Sequence, residues 1–521
     1  MRKIILSFVI CLLATVVVYG QTATELKTAL QLKLDEWHKA GSFPGATLGV
    51  ALPNGESFGL AVGFSDRETR TAMKPTDRLL AGSVGKTFAA ATALQLIKEG
   101  KIGLDDKIEK YLGHEQWFAR LPNAKAITVR QLMNHTSGLV RYEFKEQFTK
   151  DLTANPEKEW KPAELVAYLL DEKPPFEAGK GWDYSDTNYI VLGIIIEKVT
   201  GKKFYDEANR RLLKPLKLTD TIPQDGPRLK GVVQGYAGPN NPFGGTDAMI
   251  VNGKFAINPQ FEWTGGGYAS TAHDLARWAK MIYEGKAFSP DLLPQVLDGV
   301  SAPMLGRESK YGLGVIIRKT QVGTSYGHSG FFPGYMTDMA YFPEHKIAVA
   351  VQVNTSVGRN LGKPLSRVLV EMMEVILAKQ GEPAKKDIPV ADRFEDAIKT
   401  KETRFKLASK LVRNNEQENY VLQGWKSDDD IVSATTYELA SPEEAAEMIR
   451  RSLNAPVSVP VRTIKLTQLG DEAYLRPNGP YAKEGQTDLL FRKGNFVIVM
   501  SASKPDLAQR FAKHFANEIQ N

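Results

Sequence analysis

Cysteine is almost missing from this chain, with one, Cys11, among 521 residues. A disulfide within the chain needs two, and a zinc–thiolate site or cysteine nucleophile would have to use a residue inside an apolar N-terminal run, so the body of the chain has none of these. Metal spacing is missing too. The seven histidines form no H-E-x-x-H or comparable pattern, and neither a metal nor an organic cofactor is implied. The formal charge of +7, two units of which are Arg2 and Lys3, is spread thinly. That suits an acidic envelope, but without a basic cluster interleaved with aromatics it gives no reason to expect nucleic acid. Stability must come from packed cores. With 42% hydrophobic residues there is material for two or three domains.

The opening MRKIILSFVICLLATVVVYGQ places Arg2 and Lys3 before an apolar run to Val18 and small Gly20 before Gln21. This is the pattern of a secretory signal peptide over residues 1–20, and it implies a protein exported to the periplasm or beyond. The run is short for a spanning helix, polar sequence follows at once, and no membrane span is expected after cleavage. A helix is expected from about Ala23 to Ala40, then a hairpin about Pro53-Asn54-Gly55. Helical segments and loops dominate to about residue 300, including a capping box between Thr128 and Gln131. Short β-type runs return between about 310 and 354, followed by an amphipathic segment from Pro364 to Ala378.

Strands at both ends with helices between them predict an α+β domain over residues 21–380. Its antiparallel sheet would be closed by sequence-distant pieces and flanked by helices, with an inserted helical subdomain and a site at the seam. A charged, Pro-containing linker is expected over 381–390. Beyond it, residues 391–521 read as a small α+β domain of unknown role. In it, Ser441-Pro442-Glu443-Glu444 starts a helix, a hairpin turns at Gly494-Asn495, and a helix ends the chain.

GSVGKT, residues 82–87, can be two unrelated devices. A phosphate loop needs a glycine five positions before Gly85, and Leu80 stands there. An S-x-x-K nucleophile needs nothing moved. Ser83 and Lys86 lie one turn apart in the first turn of an apolar helix that should stop at Gly100. A lysine desolvated beside other donors can accept a proton at neutral pH. Tyr184, in Tyr184-Ser185-Asp186, can donate and accept through one oxygen. His328-Ser329-Gly330 begins where an inner strand should run, and glycine there permits close substrate approach.

S-x-x-K, Y-x-[ND] and [KH]-[ST]-G, in that order, resemble the serine β-lactamase and penicillin-recognising DD-peptidase superfamily. The resemblance is to its class C-like branch of β-lactamases, D-Ala-D-Ala carboxypeptidases, D-aminopeptidases and carboxylesterases. "GKIGLDDKIEKYLG", "ITVRQLMNHTSGL" and "GGGYASTAHDLARWA" look like its framework, over roughly residues 25 to 380. The resemblance implies Ser83 as acylated nucleophile, Lys86 as its base, and Tyr184 as proton shuttle. It also implies an oxyanion hole from the backbone N–H groups of Ser83 and Phe331, and a substrate surface at Asp186, His328, Ser329 and Gly330.

Two departures from the family pattern matter. His328 replaces the lysine usual in β-lactamases, so carboxylate capture should be weaker. Asp186 replaces the usual asparagine, so it should raise the pKa of Lys86 unless it is itself protonated or accepts from a substrate N–H. His135 reads as a buried framework histidine, and Gly265, Gly266 and Gly267 as a tight loop. The expectation is an exported serine hydrolase that forms an acyl-serine on an amide or ester. A D-amino-acid peptide, including one of cell-wall origin, or a small ester is favoured over a β-lactam. The alternative is a noncatalytic binding or sensing protein that keeps the fold, and an ATPase is more distant.

Overall fold

The computed structural model describes residues 24–239, 241–306, 308–380, 390–414, 419–439, 442–454, 462–477 and 486–519. The expected leader, linker residues 381–389 and the Ser441 cap lie outside them. Contacts divide the chain into two compact units, the first ending at Lys385 and the second beginning at Lys386.

In the first unit, the helix over 24–40 carries Leu26, Leu30, Leu34 and Trp37, spaced four, four and three apart and all buried. That spacing makes one apolar stripe. A matching stripe of Leu365, Val368, Leu369, Met372, Met373 and Ile376 lies on the helix Leu365–Lys379, and both join one core on one face of a sheet. The sheet has nine antiparallel strands. They run from Thr71–Ala72 at one edge through Ser57–Asp66, Gly45–Ala51, Ile347–Val353, Tyr335–Phe342, Gly323–Phe332, Ile316–Thr320 and Lys310–Tyr311 to Val300–Ser301. Early and late strands therefore meet at its centre, where Gly45–Ala51 pairs with Ile347–Val353. The latter is buried along its whole length, which is why IAVAVQV carries almost no polar residue.

The helix Ala272–Tyr283, capped where the Thr271 hydroxyl accepts from the Asp274 N–H, covers the other face. Around it pack the helices of the central region, among them Val129–Met133 with the Thr128–Gln131 capping box and Asp186–Thr200, whose stretch from Tyr189 to Ile196 joins the core. The site is set by the strand Gly323–Phe332, whose pairing with Ile316–Thr320 ends at Gly327 while its pairing with Tyr335–Phe342 runs on to Phe332. His328 to Phe332 thus present one edge toward Ser83.

The second unit is a seven-stranded antiparallel sheet over Lys406–Ala502. The helices Val390–Lys401 and Pro505–Glu518 cover one face, with Phe394 and Phe515 stacked at 3.9 Å. The helix Pro442–Asn454 packs Ala445 and Ile449 on the other against Leu490 and Val497. Among the described residues no helix is long and apolar enough to cross a membrane.

Candidate active site

Ser83 stands in a 3-10 turn, Gly82–Gly85, that runs directly into the helix Lys86–Lys98. A regular first helical turn was expected, and the tighter turn has a physical reason. Gly82 takes φ +52°, and the turn is pressed against the strand so closely that a Cβ on Gly82 would lie 2.6 Å from the Phe331 nitrogen. A Cβ on Gly330 would fall 1.9 Å from the Ala81 carbonyl oxygen. Two glycines therefore bring the backbones at Ser83 and Phe331 together.

The Lys86 side chain is fully buried, and its Nζ donates to Ser83 Oγ at 3.0 Å. The other two donors go to Asp186 Oδ1 and the Gly265 carbonyl, so all three N–H bonds of an ammonium are satisfied. Burial, the largest single influence, lowers the pKa of Lys86, but Asp186 and then Tyr184 together outweigh it and the net shift is upward. Asp186 begins the helix Asp186–Thr200, and its other oxygen accepts from Arg141 Nη2 at 2.8 Å. Burial pushes the Asp186 carboxyl up, yet Lys86, a hydrogen bond from Glu143 and Arg141 together bring it below the usual carboxylate range. It is therefore an anion and not a protonated acid.

The Tyr184 ring lies under Lys86, 4.9 Å from Nζ to ring centroid. Its hydroxyl is buried without a hydrogen-bond partner, close enough to Lys86 and Ser83 for both to favour its ionised form, although burial raises its pKa overall. His328 points into the same region, but both its nitrogens are taken. Nε2 meets the Tyr311 hydroxyl at 2.8 Å and Nδ1 the Ser329 carbonyl at 2.6 Å. Burial and Lys86 push its pKa down to about 3, so it is neutral across the physiological range. Phe331 is exposed at the mouth.

Ser83 opens on two cavities. One, of about 710 Å³, is walled by Tyr142, Phe148, Phe243, Phe261 and Phe332, and bears the carboxyls of Asp186, Glu143 and Glu262. Burial, with Asp186 adding to it, raises Glu262 to about 8. The other, of about 500 Å³, runs past Tyr184, His328, Ser329 and Gly330. Arg141 and Phe331 border both. The structure thus brings together Ser83, Lys86, Tyr184 and Asp186 at hydrogen-bonding or van der Waals range, with His328, Ser329, Gly330 and Phe331 along one side.

His135 is buried at φ +63° and clasps the segment that carries Tyr184. Its carbonyl accepts from the Asp183 N–H at 3.1 Å, and its Nδ1 accepts from the Ser185 N–H at 3.2 Å. Arg141, Glu143 and Glu262 were missed in the sequence. Charged side chains a few residues past "NHTSGL" and just before the glycine triplet were the available signal. The Gly265 carbonyl left none.

A family model described as Beta-lactamase matches residues 30–370. Penicillin-binding protein 4* of Bacillus subtilis is 24% identical over 301 residues, 54% of this chain and 62% of that protein. D-aminopeptidase of Brucella anthropi is 26% identical over 352 residues, 67% of this chain and 61% of that one. The chain therefore spans about three fifths of the length of these two relatives. The crystal structure of a D-stereospecific amidohydrolase from Streptomyces is similar at 27% identity and a TM-score of 0.55, covering 64% of this chain and 96% of that one.

Proposed function

Because the chain belongs to the beta-lactamase family of serine hydrolases, we propose that it opens an amide or ester bond through an acyl-enzyme on Ser83 and, from the leader pattern of residues 1–20, that it is exported. The preferred substrate is a D-amino-acid peptide or a small ester. The carrying observation is the 3.0 Å hydrogen bond between Lys86 Nζ and Ser83 Oγ at the junction of two cavities.

In this reading Ser83 Oγ bonds to the acyl carbon as its proton passes to Lys86, once Lys86 is neutral. Backbone N–H groups of Ser83 and Phe331 receive the oxyanion. Tyr184 hands its proton to the departing nitrogen or oxygen and recovers one from Lys86, and water then releases the acyl group. Neutral His328 gives weak carboxylate capture, which favours peptides and esters over a β-lactam. The names of the D-aminopeptidase and the D-stereospecific amidohydrolase support the D-configuration. The aromatic walls of the larger cavity suit an acyl group with an apolar side chain. Residues 1–20 serve as export signal, 21–380 as the hydrolase, 381–390 as linker, and 391–521 as a separate module.

A fluorophosphonate, a p-nitrophenyl ester or a D-aminoacyl amide should leave one adduct, mapped to Ser83, and Ser83→Ala should remove it and turnover while the protein stays folded. Adducts on Ser137 or Ser329 would refute the assignment. The second reading, a noncatalytic binding protein, draws on the saturated Lys86 ammonium. Binding of D-peptides without any adduct or turnover at any pH would establish it.

A further inference from the structure

Asp186 lies between two cations. Oδ1 accepts from Lys86 and Oδ2 from Arg141 at 2.8 Å. Arg141 is held in turn, its Nε donating to Glu143 Oε1 at 2.6 Å. Glu143 Oε2 is buried with no donor facing it, and its carboxyl lies within hydrogen-bonding reach of Asp186. Two oxygens that both accept cannot bond unless one carries a proton, so the arrangement is that of a protonated Glu143 beside an ionised Asp186. Burial, then Asp186, hold Glu143 in that acid form.

The remaining groups near Lys86 carry little charge at neutral pH. Tyr184 and Tyr189 face it with their rings. His135 and His328 are held neutral by burial and by Lys86 itself. Glu262, at about 8, is mostly protonated. Among the described residues, the standing charges of the cluster are Lys86, Asp186 and Arg141.

For Lys86 to receive the Ser83 proton it must first be neutral, and losing its proton would strip a buried carboxylate of one partner. A buried carboxylate left unpaired is costly, and that cost would fix the proton on Lys86. We propose that Arg141 is the resident counter-ion of Asp186, a positioning residue that lets Lys86 give up a proton without leaving a buried carboxylate unpaired. With Lys86 neutral, Asp186 and Arg141 still form a one-to-one pair, and the Arg141 charge itself disfavours the Lys86 ammonium. Asp186 and Arg141 are then a matched exchange for a neutral asparagine. This rests on the acyl-enzyme reading of Ser83.

The test is the pH dependence of kcat/KM on p-nitrophenyl acetate, measured with the full chain. Arg141→Gln should move the acidic limb to higher pH by about one unit, so that kcat/KM falls about tenfold below the limb. Arg141→Lys should leave it nearly in place. The double variant Arg141→Gln with Asp186→Asn removes both charges, and should react faster than Arg141→Gln alone. An unmoved limb in Arg141→Gln, with the loss confined to KM, would overturn the proposal, as would a double variant no faster than the single. If Arg141→Gln fails to fold while the double variant folds, the counter-ion role stands. If neither folds, Arg141 is framework and the proposal fails. Absence of a wild-type adduct on Ser83 would instead sink the acyl-enzyme reading.

Discussion

At the scale of single residues, the chemistry turns on how Lys86 distributes three N–H bonds over Ser83, Asp186 and Gly265. The anionic neighbour raises its pKa, so Asp186→Asn should lower it and move the acidic limb of kcat/KM to lower pH. An unmoved limb would remove Asp186 from the control of Lys86. His328 gives a second, thermodynamic expectation. Its folded pKa of about 3 lies below the unfolded value near 6.5, so between these pH values the unfolded chain binds a proton that the folded chain does not. The His328 contribution to stability is therefore full above pH ~6.5 and is lost as pH drops through that window, opposite in sign to that of Glu262, whose raised pKa contributes at low pH and fades as pH rises. His135, also held well below its ordinary value by burial, acts in the same direction as His328. Urea midpoints from pH ~7 to ~4 check it, and in His328→Gln any fall should be shallower by roughly the His328 share. Equal slopes in the two proteins would mean that His328 is not neutral in the folded state.

At the scale of elements, the site depends on how tightly the turn Gly82–Gly85 and the strand Gly323–Phe332 approach. Gly330→Ala would put a methyl 1.9 Å from the Ala81 carbonyl oxygen, so the strand must move away from Ser83. Such overpacking costs about 1–3 kcal/mol, and a shift of about 1 Å at a catalytic centre costs about a hundredfold in rate. The variant should fold with a lowered melting temperature and lose kcat more than KM. Full activity would show that the two backbones need not be this close. Periodicity made the elements legible. Leu26, Leu30 and Leu34 announce a helix, Pro53-Asn54-Gly55 a hairpin, and Thr128 with Gln131 a cap. Local pattern could not supply what Lys86 faces across the fold. The Gly265 carbonyl lies 179 positions away and Asp186 100 positions away. Ser83 and Lys86 were readable because their contact is one turn long, whereas Arg141 and Glu143 acquire meaning only when the segment after "NHTSGL" folds against Asp186.

At the scale of the whole molecule, the question is what the second unit contributes. The two large cores of the first unit draw only on residues between Leu26 and Leu377, and the cores of the second only on residues from Phe394 to Ile519. Among the described residues each unit therefore has apolar cores of its own, the condition for independent folding. Every residue lining the two cavities at Ser83 lies between Ser83 and Ser366. A chain ending at Gln380 should accordingly fold cooperatively and acylate Ser83 with a small p-nitrophenyl ester at a rate within about threefold of the full chain, the ordinary context-dependent spread for such effects. The comparison on a longer D-peptide carries further information, because a module that gathers substrate lowers KM without touching the chemical step. Unchanged kcat with a raised KM on the peptide alone would make residues 391–521 a substrate-recruiting module. Loss of ester acylation in a truncated chain that still unfolds cooperatively would mean that the second unit shapes the site itself, and that the first unit is not a complete hydrolase.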